Sequence, residues 1–142
     1  MKRQIVTSSV SVLLILLIAA AAMLTGCAPQ TTVGDATIIA EKELGTGATT
    51  IVFTVVNPEN EATVYTIKTD AENLRGALTE NGLIPAGNVG DMIVTVDGIT
   101  ADYSVDQGWW KLLIDGEMAN AGVDGCIITA GGQYTFVYTR GF

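Results

Sequence analysis

Residues 49–68 read TTIVFTVVNPENEATVYTIK, and this stretch decides the fold. Residues 49–56 and 62–68 are rich in β-branched and aromatic side chains, which favour strands. Between them, Asn57, Pro58 and Asn60 belong to a cluster of turn residues. The stretch therefore predicts two strands joined as a hairpin.

The periodicity changes directly after the hairpin, where residues 69–82 read TDAENLRGALTENG. Thr69 followed three residues later by Glu72 fits a capping box, with Thr69 as the N-cap. Three apolar residues then share one face at helical spacing: Leu74, Ala77 and Leu78. The dipeptide Asn81-Gly82 ends the pattern, because both residues tolerate the left-handed conformation of a helix end. A short helix is predicted to pack this face on the sheet.

Three more strands are predicted in the second half of the chain, over residues 91–96, 109–114 and 133–139. Asp-Gly follows a branched residue three times, at positions 97–98, 115–116 and 124–125, and this dipeptide favours hairpin corners. No D-x-D-x-D-G loop with a terminal Glu is present, so no metal site is predicted. The element order predicts an α+β fold, with one helix on one face of a mainly antiparallel or mixed sheet. A β-grasp is the natural candidate.

The N-terminus has the pattern of a secretory signal. Lys2 and Arg3 precede an apolar run over residues 10–24, which is too short for a good membrane span. The run ends at LTGC, residues 24–27, which resembles the lipobox of bacterial lipoproteins. That resemblance implies cleavage before Cys27 and a diacylglycerol on its sulfur. An uncleaved anchor, or a signal cut elsewhere, is the alternative.

The predicted organisation is a signal peptide over residues 1–26, a lipidated Cys27 with a tether over residues 27–42, and a domain over residues 43–142. Within the tether, residues 37–39 are apolar enough to add an edge strand. The expected location is the outer side of a bacterial cell membrane, reached through the N-terminal lipid.

Charge and cysteine content exclude several classes of function. Loss of Lys2 and Arg3 with the signal leaves five basic residues against fifteen acidic ones, a net charge of −10. Such a chain repels nucleic acid, so no nucleic-acid partner is expected. With Cys27 lipidated, Cys126 has no partner for a disulfide, and its apolar neighbours predict a buried thiol.

An enzymatic role is not expected. The sequence contains no histidine, the commonest general base, and no nucleophile elbow or phosphate-binding glycine loop. No catalytic residue and no cofactor are therefore predicted.

Both tryptophans lie in one predicted strand, QGWWKLLIDG over residues 107–116. Strand alternation places Trp110 on the apolar, helix-facing side, and Trp109 with Lys111 on the other. Trp109, Tyr103 and Lys111 are the predicted ligand-binding residues, because an indole beside a phenol suits a flat, partly apolar ligand. The alternative is that Trp109 only packs under the loop over residues 100–108.

An ordered series of short segments carries a family likeness. The segments are ELGTGA (43–48), YTIKTD (65–70), LRGAL (74–78), GLI (82–84), VDGITADY (96–103), WW (109–110), IDGE (114–117), GVD (122–124) and YTFVY (134–138). The series resembles the bacterial domain family of unknown function that is similar to the C-terminal β-domain of transcobalamin and intrinsic factor. The resemblance covers residues 43–141 and implies a β-grasp of the soluble-ligand-binding type.

Two functions of different classes follow. In the first, the chain is a tethered module that binds a corrinoid-like compound and passes it to a membrane importer, as the resemblance implies. In the second, it is a surface interaction or spacer domain that binds another envelope protein through a sheet edge or through Trp109.

Overall fold

The computed structural model describes residues 32–141. Contacts divide the chain into two units, Met1–Gln30 and Thr31–Phe142, and the second holds every element described below. The predicted signal peptide and Cys27 lie outside the described residues. No helix within residues 32–141 is long and apolar enough to cross a membrane.

The hairpin predicted from residues 49–68 is confirmed. Strand β3 (Thr49–Val56) pairs antiparallel with strand β4 (Glu61–Thr69) in continuous register. The Asn57 side chain closes the turn, because its Oδ1 accepts hydrogen bonds from the backbone N–H groups of Glu59 and Glu61, at 3.0 and 2.9 Å. Asn60 takes the positive φ of 63° that the turn requires, a conformation Asn tolerates.

A seven-stranded mixed sheet is built around this hairpin. The remaining strands are β1 (Thr32–Val33), β2 (Ala36–Leu44), β7 (Gly108–Ile114), β8 (Glu117–Met118) and β9 (Gln133–Arg140). Their order is β1-β2-β4-β3-β9-β7-β8, with the β2–β4 and β3–β9 pairs parallel. The α+β prediction is confirmed. Strand β2 corrects the tether prediction from Ala36 onward, because these residues form a nine-residue strand along β4.

The helix α1 (Leu74–Glu80) lies where the periodicity placed it but starts later than predicted. Its N-cap is Asn73, which accepts a hydrogen bond from Gly76 N, so the capping box at Thr69 is wrong. Residues 72–74 instead bond to a neighbouring extended segment: Leu74 N donates to Cys126 O, and Glu72 O accepts from Ile128 N. These bonds hold the backbone extended until Asn73. The predicted end at Asn81-Gly82 is confirmed.

One main core joins the helix to the sheet. The predicted helical face is fully buried, and strands β3, β4, β7 and β9 contribute the buried aromatic side chains of this core. These include Phe53, Tyr65, Trp110 and Phe136. Burying a side chain of this size contributes about 1.5–3 kcal/mol. Cys126 belongs to the same core, which confirms its predicted burial.

Two of the three predicted Asp-Gly corners are hairpin turns. Asp97-Gly98 joins β5 (Thr95–Val96) to β6 (Ile99–Thr100), and Asp115-Gly116 joins β7 to β8, with positive φ at all four residues. The third corner is wrong, because Asp124 lies in a turn between loops and pairs with Arg75.

The strand predicted over residues 91–96 is also wrong, apart from Thr95 and Val96. Residues 91–94 form no strand ladder. They run instead as an irregular segment that contacts Trp110, which places them at the candidate site.

Candidate functional site

Trp110 is committed to the core, as predicted. Its ring contacts Phe136 and Tyr138 edge to face, with centroids 6.3 and 5.2 Å apart. Its indole Nε1 donates a 3.2 Å hydrogen bond to the carbonyl of Val94. Trp110 therefore ties the irregular segment 91–94 to strand β7.

Trp109 is half-buried and has a structural contact of its own. Its Nε1 donates a 2.7 Å hydrogen bond to the carbonyl of Gly141, just beyond strand β9. The bond fixes the indole at the start of β7, so that one ring surface borders a cavity.

That cavity is the candidate site. Its volume is about 520 Å³, and its walls are mainly apolar. It is lined by Met92, Ile93, Val94, Ala101, Tyr103, Gly108, Trp109 and Trp110. Three of these side chains are unusually exposed for apolar residues: Met92 at 84%, Tyr103 at 50% and Val94 at 47%. A concave surface rimmed by exposed apolar groups is typical of ligand-binding sites.

The structure brings Trp109 and Tyr103 together here, as wall residues of one cavity. Lys111 is not with them, because it lines a different cavity with Leu113 and Val137. Alternation along β7 separates Lys111 from Trp110, whereas Trp109 reaches the cavity at the start of the strand.

A one-turn helix, α2 (Tyr103–Asp106), carries Tyr103. Asp102 caps it by accepting a 2.9 Å hydrogen bond from Ser104 N. At its other end, the Asp106 carboxylate accepts hydrogen bonds from Tyr138 Oη at 3.0 Å and from Arg140 Nε at 3.0 Å. Desolvation alone would raise the pKa of Asp106, but these hydrogen bonds outweigh it and hold the pKa below its ordinary value. The helix is thus fastened to β9.

A second cavity of about 420 Å³ adjoins the first and shares Met92, Ile93 and Trp110 with it. Its remaining walls come from two loops, near Asp91 and Asp124, and from the core. The segment 92–93 therefore separates two adjacent cavities on the same side of β7.

An ion pair between Arg75 and Asp124 lies beside the second cavity, which Asp124 lines. Arg75, only 8% exposed, donates from Nε to Asp124 Oδ1 at 2.5 Å and from Nη2 to Oδ2 at 2.8 Å. The hydrogen bonds from Arg75 lower the pKa of Asp124, and those to Asp124 raise the pKa of Arg75.

Sequence reasoning missed two parts of the site. The residue types predict a strand that includes Met92, Ile93 and Val94, although three consecutive apolar residues lack the alternation of a half-buried strand. The pairing of Arg75 with Asp124 had no signal, because the two residues are 49 positions apart.

Among the described residues, neither metal binding nor thiol chemistry finds support in the geometry. Within residues 32–141, no group of three or more His, Cys, Asp or Glu side chains is placed to hold a metal ion. The Cys126 thiol is buried, and desolvation raises its pKa.

The sequence from Val64 to Arg140, more than half of the chain, matches one family, a domain of unknown function (DUF4430). The chain belongs to the DUF4430 family. The match spans both tryptophans, the whole cavity and the Arg75–Asp124 pair. It confirms, at the level of the domain, the family likeness seen in the ordered series of segments.

Two solved structures are similar to this DUF4430 chain. A proposed metal-binding protein from Ruminococcus gnavus has 30% sequence identity and a TM-score of 0.62, and the alignment covers 67% of this chain and all of that one. Haptocorrin in complex with Cbi has 18% identity and a TM-score of 0.48, over 70% of this chain and 27% of haptocorrin. None of the curated proteins compared with the chain matches it.

Proposed function

We propose that the chain is a binding module that holds a flat, partly apolar small molecule in the cavity beside Trp109. The observation that carries this proposal is the combination of an apolar cavity with exposed Met92, Val94 and Tyr103 at its walls. Leaving these side chains in water forgoes the free energy of burying them, and a bound ligand would recover it.

We further propose a corrinoid as the ligand class. Support comes from the resemblance of the ordered segments to the C-terminal β-domain of transcobalamin and intrinsic factor, which also implies the β-grasp topology. At about 520 Å³ the cavity suits one part of such a ligand, so only one side of it would be covered. The net charge of −10 expected for the mature chain favours a neutral or cationic corrinoid over an anionic one.

The anchor and the location are part of the proposal. The lipobox-like LTGC at residues 24–27 supports a lipid on Cys27, which would tether the module outside the cell membrane and near a membrane importer that receives the ligand. Incorporation of an alkyne-bearing fatty acid into the wild-type protein, and none into Cys27→Ser, would support the anchor. Equal labelling of both would contradict it.

We propose that the chain is not an enzyme. The sequence contains no histidine, and burial disfavours the reactive thiolate of Cys126. The metal binding named for the Ruminococcus gnavus protein is not carried over, because the described residues lack a suitable group of ligands.

The test uses the fragment 28–142, which contains the whole compact unit Thr31–Phe142. Tryptophan emission and calorimetric heat are followed during titration with cobinamide and with cobalamin. Binding should quench or shift the emission, because both tryptophans line the cavity. Unchanged emission and no heat up to high micromolar ligand would contradict the proposed function.

A second candidate is docking of an envelope protein along a sheet edge. Strand β8 pairs with β7 only at Leu113 and Ile114, so within the described residues the edge of β7 opposite β9 borders the cavities along the first half of the strand. Capture of one envelope protein by the wild-type chain, lost in Met118→Pro on the exposed strand β8 at this edge but kept in a proline variant at exposed Val89, would favour this candidate. Equal capture by both variants would dismiss it.

A further inference from the structure

The ion pair of Arg75 and Asp124 also makes hydrogen bonds to backbone groups of a neighbouring loop. Besides Asp124, the Arg75 Nη2 group binds the carbonyl of Asp91 at 2.9 Å. Asp124 Oδ2 in turn accepts a 2.9 Å hydrogen bond from the backbone N–H of Gly90. Both members of the pair therefore bind the backbone at two consecutive residues of one loop.

That loop leads directly into the cavity wall. Residues 88–91 form a turn in which the Asp91 carboxylate accepts a 2.7 Å hydrogen bond from Asn88 N. Met92, Ile93 and Val94 follow at once, and all three line the cavity. The wall thus begins one residue after the backbone that the ion pair holds.

The far end of the wall has its own attachment. Val94 O accepts hydrogen bonds from Ala101 N at 2.7 Å and from Trp110 Nε1 at 3.2 Å. Between this point and Asp91 the wall has no strand pairing, so its backbone depends on its two ends and on the packing of Ile93 against the core.

We infer that Arg75 and Asp124 are positioning residues, a clamp that fixes the wall segment 92–94 and thereby sets the affinity of the cavity for its ligand. The inference rests on the proposed ligand site. A guanidinium suits this task because its planar fork donates several hydrogen bonds in fixed directions, which a lysine ammonium cannot do.

A clamp predicts a different outcome from a simple stabilising contact. Desolvation of a buried ion pair offsets much of its attraction, so replacement of both partners by apolar residues is often neutral for stability. The double variant Arg75→Met/Asp124→Leu should therefore stay folded while its loop is released. Asp124→Asn is the conservative single variant, and Asp70→Asn is its matched control, because Asp70 also accepts a backbone N–H and lies outside the cavities.

The test has a ligand-free arm and a binding arm, both on the fragment 28–142. Hydrogen exchange is measured over residues 88–94 and, as an internal reference, over strand β3. Binding is measured with Nile red, a neutral apolar dye, and with cobinamide. In Asp124→Asn and in the double variant, exchange over 88–94 should rise at least about tenfold and both probes should bind about tenfold more weakly, because fewer molecules hold the wall in the binding geometry. Strand β3 should stay protected in the double variant, which leaves no uncompensated buried charge, and Asp70→Asn should match the wild type in both arms.

Three results would overturn the clamp: unchanged exchange over 88–94 in both variants, exchange in the double variant that rises equally in β3, or affinity that survives release of the loop. Failure of the wild type to bind either probe would count against the proposed function instead. In that case the exchange arm alone would decide whether the pair orders the wall.

Discussion

Truncation of Met92 separates ligand binding from folding more cleanly than any other change at the site. Met92 lines the cavity but is 84% exposed, so its side chain contributes little to the stability of the folded state. A ligand that fills the cavity would bury it. Met92→Ala is therefore expected to weaken binding and to leave the free energy of unfolding within about 0.5 kcal/mol of the wild type.

The size of the effect follows from the atoms removed. Full burial of a methionine side chain is worth about 1.5–3 kcal/mol, and alanine keeps its first carbon, so the loss is about 1–2 kcal/mol of binding free energy. At about 1.4 kcal/mol per factor of ten, the dissociation constant should rise about five- to thirtyfold.

The chain provides a matched control. Met118 is also exposed, at 65%, but lies on β8 and lines neither of the two cavities that meet at Met92. Calorimetric titration of Met92→Ala and Met118→Ala with cobinamide, together with urea denaturation of both, completes the experiment. Equal affinity in the two variants would refute the assignment of this cavity as the ligand site.

Three further predictions concern the scaffold. Leu78→Ala should lower the free energy of unfolding, measured in urea, by about 2–5 kcal/mol, because this side chain is fully buried between helix and sheet. The exposed control Val89→Ala should change it little. Similar values for the two variants would contradict the described core. Gly108→Ala should lower the thermal midpoint, because an added Cβ would lie 2.1 Å from the hydroxyl oxygen of Tyr138, and an unchanged midpoint would show that this ring is free to move. At pH 8 a thiol reagent should modify Cys126 at least about a hundredfold more slowly in the native chain than in urea. Burial raises the pKa of the thiol, and the reaction needs local opening of the structure. Equal rates would mean that the thiol is accessible in the native chain.

Local patterns predicted much of the scaffold. The hairpin over residues 49–68 and the strands β7 and β9 were predictable because their residue types and turn dipeptides act over short distances. The start of helix α1 was not, because bonds from residues 72–74 to residues 126–128 outweigh a good local capping box. Strand β2 was expected only over residues 37–39, as an edge strand, and its full length was not predicted because a parallel neighbour, β4, supplies its partner.

The candidate site was predictable only in part. Strand alternation indicates Trp109, and the neighbouring loop indicates Tyr103; both line the cavity. Lys111 was grouped with them by alternation, but it faces a different cavity. The wall formed by Met92 depends on a contact with Trp110 and on the distant Arg75–Asp124 pair, which no local pattern encodes.

The most direct test of the central claim is methyl NMR of the fragment 28–142 labelled with ¹³C at the methionine methyl groups. This fragment contains two of the four methionines, Met92 at the cavity and Met118 outside it, so the spectrum has one reporter for each place. On titration with cobinamide, the Met92 signal should move and saturate while the Met118 signal stays in place. A stationary Met92 signal at saturating ligand, or equal movement of both signals, would contradict binding in the Trp109 cavity.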